Sequence, residues 1–200
     1  MQREKLLRRS QKERTEATQG DLIAAARKLF IERGYADTGT PEIVETAGVT
    51  RGALYHHFED KKALLRAVVE QEAATVAAEV DRAAPESLGA RDALVKGGEA
   101  FLEAMSEQGR TRLLLLDGPA VLGRAEMDEI DGRNGTRSLK AGIVFAVREG
   151  ALPKSTPIDA LTHLLSSAFD RAALAIDAGG AAKDYHKALA ALIDGLFVKR

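Results

Sequence analysis

A short predicted helix near residue 50 carries polar side chains on one of its sides. The polar residues are Thr50, Arg51, Tyr55 and His56. Leu54 and Phe58 lie four positions apart, so they share the opposite side, which we expect to face the core. A guanidinium, a phenol, an imidazole and a hydroxyl can all donate hydrogen bonds to phosphate oxygens or base edges. The pattern therefore predicts an exposed surface suited to a nucleic acid.

A second short helix is predicted immediately before this one. Thr40 is a suitable N-cap, and Pro41 has a fixed φ that suits the first helical position. The apolar side of this helix consists of Ile43, Val44 and Ala47. Gly48 then tolerates the positive φ that a tight turn between helices requires. Two short helices joined by a turn with a glycine predict a helix-turn-helix.

Residues 19–71 resemble the TetR-type family of bacterial transcriptional regulators. The matching residues occur in order: Ala26, Phe30, Gly34, Tyr35, Ile43, Ala47, Gly48, Val49, Leu54, Tyr55, His56, His57, Phe58, Lys61, Leu64 and Leu65. Val44 and the pair Arg51 and Gly52 depart from the residues that are commoner in the family. The resemblance implies an all-α fold. In this fold an N-terminal three-helix DNA-binding domain precedes a larger C-terminal helical domain for ligand binding and dimerisation.

The composition agrees with a helical protein that has a buried core. Of the 200 residues, 45% are hydrophobic and 30% are charged, and alanine is abundant. The chain contains no cysteine, which excludes disulfides and thiolate chemistry. No apolar run approaches the ~20 residues of a membrane span, and the N-terminus lacks the apolar core of a secretion signal. We therefore expect a cytoplasmic protein.

The charge distribution divides the chain. Residues 1–66 contain 13 Lys and Arg against 10 Asp and Glu, whereas residues 67–200 contain 16 against 20. We predict a flexible basic arm at 1–17, a DNA-binding domain at 18–66 with its motif at about 39–58, and a regulatory domain at 67–200. The arm can neutralise phosphates or can be a solvated tail, and both hold if it becomes ordered only on DNA.

Roles at a DNA duplex follow from side-chain chemistry and from the resemblance. Arg51 is the candidate for reading a guanine, because its fork matches O6 and N7. Gly52 has no side chain, so the backbone can approach closely. By resemblance, Tyr55 and His56 meet phosphates or thymine methyl groups. Predicted phosphate contacts come from Thr40, Thr50, His57 and Lys61, the last of these also by resemblance. For His57 a hydrogen bond within the domain is the alternative.

The remaining helices are predicted from apolar periodicity and from breakers. A long helix capped by Asp60 ends before Pro85, and in the family this helix is the lever between ligand and DNA. A short buried helix is predicted at 111–117, broken by Gly118 and Pro119, with a turn or loop at 120–123. One helix at 124–150 is predicted to be kinked or interrupted near Gly132–Gly135.

The last two predicted helices, separated by Gly179 and Gly180, have wide apolar faces. We predict that this hairpin pairs with the same hairpin of a second subunit as a four-helix bundle, as in the family. The candidate interface residues are Leu161, Leu164, Leu165, Ala168, Ala172, Leu189, Leu192 and Leu196. The alternative is that the hairpin only completes the core of a monomer.

By resemblance, a small molecule enters the second domain and releases a palindromic operator. Candidate pocket residues are Phe101, Met105, Asp117, Arg124, Met127, Phe145, His163 and Phe169. Each of them individually also fits a plain core or surface position. The polar anchors would be Asp117, Arg124 or His163.

Catalytic and metal sites are not predicted. His56 and His57 are adjacent in a helix and so face different ways, and His163 has no clustered third ligand. We expect no cofactor and no enzymatic activity. The function predicted is a repressor with a small-molecule effector. The alternatives are a DNA-binding dimer without a ligand, a transcriptional activator, and a helical enzyme that merely shares the motif.

Overall fold

The computed structural model describes the backbone of residues 2–85 and 87–197, with side chains from residue 11 onward. The first helix, α1, spans Gln2–Arg33, so it begins well before residue 18, the predicted start of the DNA-binding domain. The side chains of Arg3, Lys5, Arg8 and Arg9, predicted as part of the basic arm, lie outside the described residues. The helical backbone thus extends through the segment predicted as an arm.

Three further helices complete the N-terminal part of the molecule. They are α2 at Thr40–Ala47, α3 at Arg51–His57 and α4 at Lys61–Ala83. Their apolar sides meet that of α1, and the largest fully buried side chains there are Leu22, Phe30, Ile43, Leu54, Leu64 and Leu65. We call α1, α2, α3 and the first turns of α4 the head. Because α4 is long, it continues from the head into the rest of the molecule.

The C-terminal part is also helical. Its helices are α5 at Ala90–Met105, α6 at Arg110–Arg112, a π-helix at Leu113–Asp117, α7 at Gly118–Leu122, α8 at Arg124–Arg133, α9 at Gly135–Arg148, α10 at Ile158–Asp177 and α11 at Ala182–Asp194. Residues 2–85 and 87–197 contain no β-strand. Within the same ranges, no helix has the length and apolar character needed to cross a bilayer.

The region around Gly118 differs from the prediction. The expected break and the expected turn at 120–123 are wrong, because the chain stays helical from Arg110 to Leu122. Pro119 lies in the first turn of α7, where a missing backbone N–H costs little. The interruption predicted near Gly132–Gly135 is confirmed, since Asn134 separates α8 from α9 with φ −122° and ψ −108°.

The buried residues form one continuous core from the head to the C-terminal hairpin. Leu64, Leu65, Val68 and Val69 of α4 belong to it and link the two parts. The predicted domain boundary between residues 66 and 67 falls inside α4. One continuous helix therefore runs through both predicted domains.

Candidate nucleic-acid interface

The second helix of the motif, α3, has one buried and one exposed side. Thr50 is its N-cap, and the Thr50 hydroxyl oxygen accepts a hydrogen bond from the Ala53 N–H at 3.2 Å. The predicted core positions are buried, with Leu54 0% and Phe58 6% exposed. The exposed residues are Thr50, Arg51, Gly52, Tyr55 and His56, while His57 is partly buried. The exposed side is continuous along the helix and faces away from the core.

The turn between α2 and α3 is made by Gly48. Its φ of 66° and ψ of 27° lie in the left-handed region, where a side chain causes strain. The Gly48 N–H donates to the carbonyl of Glu45 at 3.1 Å, and the Val49 N–H donates to that of Val44 at 3.0 Å. These two bonds satisfy the end of α2 and set the angle at which α3 leaves it.

The N-cap of α2 differs from the prediction by one residue. Gly39 is the cap, and Thr40 is the first helical residue. The Gly39 N–H donates to a carboxylate oxygen of Glu42 at 3.0 Å, so the third residue of the helix is tied back to the cap residue. The Thr40 hydroxyl is therefore not the cap of the helix and is available to other groups.

Three of the predicted DNA contacts form one cluster. The guanidinium carbon of Arg51 lies 5.5 Å from the centroid of the Tyr55 ring. Hydrogen bonding by Thr40, followed by that of Arg51, lowers the pKa of the Tyr55 phenol. Tyr55 is 45% exposed, which is unusual for an aromatic side chain in this protein. The cluster joins the start of α2 to the exposed side of α3.

Lys61, the last of the predicted phosphate contacts, lies at the start of α4. Its ammonium donates to the carbonyls of Tyr35 at 2.7 Å and of Thr38 at 2.9 Å. It also lies 4.2 Å from the centroid of the Tyr35 ring. Asp60 caps the same helix by accepting from the Ala63 N–H at 2.7 Å. The ammonium therefore holds the loop between α1 and α2, and whether it also contacts a phosphate stays a prediction.

The histidines do not form a metal centre in the described part of the chain. The rings of His56 and His57 meet edge to face, 5.3 Å apart, and His163 is exposed on α10. Residues with described side chains contain no group of three histidine or carboxylate side chains that could bind a metal ion.

Of the predicted effector residues, Phe169 alone lines one of the two cavities described below. Phe101 and Phe169 are in contact, with ring centroids 5.9 Å apart. Asp117 pairs with Arg112 at 3.2 Å, and the Arg124 side chain is 90% exposed. The other members are buried, partly buried or exposed at separate places: Met105, Met127, Phe145 and His163.

An open groove of about 710 Å³ lies instead between α4 and α5. It is lined by Gln71, Ala74, Thr75, Ala78, Glu79, Arg82, Ala83, Ala100 and Glu103. None of these was predicted. The signal was a row of small residues along the polar side of a long helix, which apolar periodicity does not detect. A second cavity of about 10 Å³, which Phe169 and His186 help to line, is too small for an effector.

The predicted dimer residues divide into two groups. Leu164 is 70% and Leu192 is 57% exposed. Leu165, Ala172 and Leu189 are buried inside the same chain, so they belong to its own core. The remaining residues, Leu161, Ala168 and Leu196, are partly buried. The outward side of the hairpin thus presents two large apolar side chains.

Two family models match the chain. The one described as bacterial regulatory proteins, tetR family, matches residues 22–68, and the one described as tetracyclin repressor-like, C-terminal domain, matches residues 91–198. Together they include the helix-turn-helix and nearly all of the C-terminal part.

Individual proteins agree. The transposon Tn10 TetC protein of Escherichia coli is 30% identical over 159 residues, 80% of each chain. The crystal structure of a TetR-family transcriptional regulator from Pectobacterium atrosepticum is 35% identical, with a TM-score of 0.75 over 94% of this chain and 97% of that one. RolR, solved in complex with resorcinol, shares the fold at 20% identity, with a TM-score of 0.70 over 92% of this chain and 89% of RolR.

Proposed function

Since this chain belongs to the TetR family of DNA-binding transcriptional regulators, which are not enzymes, we propose that it is a repressor released from a palindromic operator by a small molecule. The observation that carries the proposal is the exposed side of α3. Its polar residues are exposed, while the buried Leu54 and Phe58 hold the helix against the core. A helix held in this way fits into a major groove.

Base recognition is assigned to the start of α3. Arg51 reads a guanine edge, and Gly52 allows the backbone to come close to the DNA. The stacking of Arg51 on Tyr55 supports this role, because it holds the long side chain near the exposed surface. Less conformational freedom is then lost when the guanidinium meets a base.

Phosphate contacts are assigned to residues around α3. Thr40, Thr50, Tyr55, His56, His57 and Lys61 are the proposed contacts. The Thr50 oxygen already accepts the cap hydrogen bond, so its hydroxyl hydrogen remains to be donated. Lys61 keeps one ammonium hydrogen free from the carbonyls of Tyr35 and Thr38.

TetR-family regulators bind DNA as dimers, and we assign the interface of this chain to the outward side of α10 and α11. The exposure of Leu164 and Leu192 supports the assignment. A two-fold dimer carries two copies of α3, and therefore its operator is an inverted repeat. Its half-sites are separated by about one helical turn or slightly more, about 34–36 Å centre to centre.

The effector acts through α4. The groove between α4 and α5 is the candidate site in this conformation, because its lining residues lie on the helix that enters the head. RolR shows that a protein of this fold can hold a small aromatic ligand. A ligand that binds one tilt of α4 better than another shifts the distance between the two heads.

Selection from a random-sequence DNA library tests the proposal. The protein is expected to enrich an inverted repeat, and the affinity for it should fall steeply as salt rises. A reporter gene under the selected site should be silenced in cells, and it should be restored by a member of a small-molecule panel. Enrichment of no sequence refutes sequence-specific binding. A reporter that is activated, or that never responds to a compound, favours an activator or a regulator without a ligand.

A further inference from the structure

A cluster of three charges, two of them buried, joins the head to the C-terminal part of the chain. Glu72 of α4 is 5% exposed, and Arg110 at the start of α6 is 7% exposed. The Arg27 side chain of α1 donates from Nε to Oε1 of Glu72 at 2.7 Å, and Arg110 donates from Nε to Oε2 at 2.8 Å. One carboxylate therefore binds two guanidiniums that come from different parts of the molecule.

The charges of this cluster depend on one another. Burial alone would raise the pKa of Glu72, but the hydrogen bonds and charges of Arg27 and Arg110 together hold that pKa below its ordinary value. Glu72 is thus ionised at neutral pH. A buried charge without a partner is costly, so each side chain restricts the others to this geometry.

Arg110 also fixes the turn between α5 and α6. It donates from a terminal guanidinium nitrogen to the Ala104 carbonyl at 2.6 Å, and the same nitrogen lies 3.6 Å from Glu79. Glu79 lines the groove between α4 and α5. Arg110 therefore fastens the turn to the end of α5. Its ion pair with Glu79 places the same guanidinium beside the groove.

The same turn lies directly on α1. Gly109 has φ 77°, and a Cβ atom placed there would be 2.5 Å from Cγ1 of Ile31. A side chain at this position would displace the Ile31 side chain, and the left-handed backbone would strain it as well. The turn between α5 and α6 therefore packs closely against Ile31 near the end of α1.

We propose that Arg110 is a positioning residue for DNA binding: through Glu72 and Arg27, it holds α1, and with α1 the head, at a fixed orientation to the turn between α5 and α6. The proposal rests on the DNA-binding function proposed above. A purely structural role for the cluster would change the stability of the protein but leave the DNA affinity of the folded molecules unchanged.

A double-mutant cycle separates these roles. Arg110→Gln and Arg27→Gln are made singly and together, and affinity is measured for a duplex selected from a random library by the unsubstituted protein. Folding is checked by circular dichroism at the same temperature. Each single substitution should lower the affinity for the duplex about fivefold or more. The double variant should have the same affinity as the single variant that binds more weakly, since both residues act through Glu72.

Arg91→Gln is the matched control. Arg91 also binds two carboxylates, Asp92 at 2.6 Å and Asp194 at 2.7 Å, but it lies at the start of α5 and forms no ion pair with the described side chains of the head. Its loss should change affinity less than twofold. Without DNA, amide hydrogen exchange in residues 22–33 should be faster in Arg110→Gln than in Arg91→Gln.

Native affinity in folded Arg110→Gln, or losses that multiply in the double variant, would overturn the proposal. If Arg110→Gln does not fold, Arg110→Lys replaces it, because lysine keeps the charge but cannot bridge Glu72 and the Ala104 carbonyl with one planar fork. Folded Arg110→Lys with native affinity would then overturn it too. If the unsubstituted protein enriches no duplex, the proposed function itself fails.

Discussion

At the scale of single residues, the exposed side of α3 is arranged in the absence of DNA. Arg51 stacks on Tyr55, whose phenol interacts with Thr40 on the preceding helix. This contact joins the two helices of the motif on their outer side, while Leu54 joins them on their inner side. If this surface binds DNA as proposed, it loses less side-chain entropy because it is arranged beforehand.

Substitution of Arg51 should change sequence preference more than affinity for DNA in general. Arg51→Ala should relax discrimination at one position of each half-site by about 1–3 kcal/mol, because a bidentate contact to guanine is lost. Arg51→Lys keeps the charge but not the fork, so it should restore general affinity and not the preference. Competition between single-base variants of the selected duplex measures both effects. Unchanged discrimination in Arg51→Ala would refute the base-reading role.

Asp170 should make stability depend on pH. Burial, followed by the charge of Asp131, raises the pKa of this carboxyl to about 7. Between about pH 4 and pH 7, the Asp170 carboxyl therefore keeps its proton in the folded state. In the unfolded state, where its pKa is ~3.9, it has lost that proton. Unfolding releases this proton, so the free energy of unfolding should fall between about pH 4 and pH 7 and then level off.

Asp170→Asn replaces the titrating carboxyl with a neutral amide. It should raise the free energy of unfolding by about 2–4 kcal/mol at pH 8 and little at pH 4. Thermal or urea unfolding at the two pH values measures the difference. Asp177→Asn is the control, because Asp177 is an exposed carboxyl on the same helix. An equal gain at both pH values, or the same response in the control, would show that Asp170 is not the titrating group.

At the scale of elements, the sequence predicts a helix well where apolar residues lie on one side of it. It does not predict the type of helix where every residue is apolar. The position of α3 follows from Leu54 and Phe58, since apolar residues at helical spacing leave little choice of buried side. The run Leu113–Leu116 is apolar in every position, so its spacing does not distinguish an α-helix from a π-helix. Three-dimensional packing decides, and Pro119 is tolerated because it begins a new turn.

The groove between α4 and α5 shows the same limit. The predicted effector residues have large or polar side chains, whereas the groove is formed where side chains are small, at Ala74, Ala78 and Ala100. A groove forms where the side chains of two neighbouring helices leave space between them. The sequence of one helix does not show which residues of the other helix lie opposite. The contact of Arg110 with Glu72 joins residues that are 38 positions apart in the chain. It was not predicted, because the sequence of each helix alone does not show which side chains of the other helix it meets.

Two glycines of the motif should respond in opposite ways to alanine. Gly48→Ala should lower the free energy of unfolding by about 1–2 kcal/mol, because its left-handed backbone strains any Cβ although the space there is open. Gly52→Ala lies within α3, where the new Cβ would meet only the Thr50 hydroxyl oxygen at 3.8 Å. It should preserve or raise stability by up to about 1 kcal/mol.

Gly52→Ala should nevertheless weaken binding to the selected duplex if the backbone of α3 approaches the DNA at this position. Unfolding and binding measured on the same two variants separate these effects. Gly48→Asn should recover part of the lost stability, because asparagine tolerates the left-handed region. Equal stability of the two alanine variants would contradict the role of the turn, and native affinity in Gly52→Ala would contradict close approach of the backbone.

At the scale of the whole molecule, the outward side of the C-terminal hairpin lacks a cover. Leu164 on α10 and Leu192 on α11 are the most exposed large apolar side chains among the residues with described side chains. Small residues stand near them, including Ala160, Ser167, Ala188 and Ala191, all of them exposed. Small side chains allow two helix pairs to approach closely, and burial of a leucine contributes about 1.5–3 kcal/mol. A second copy of the hairpin supplies such a surface by symmetry.

Leu164→Glu and Leu192→Glu should therefore convert the dimer to monomers, since each places two charges in a two-fold interface. Sedimentation at micromolar concentration measures the mass, and Leu116→Glu is the control because Leu116 is also half-exposed but lies on the π-helix. Monomers should bind the inverted repeat weakly and a single half-site as well as before, since α3 is untouched. A dimer that survives both substitutions, or dissociates equally in the control, would place the interface elsewhere on the molecule.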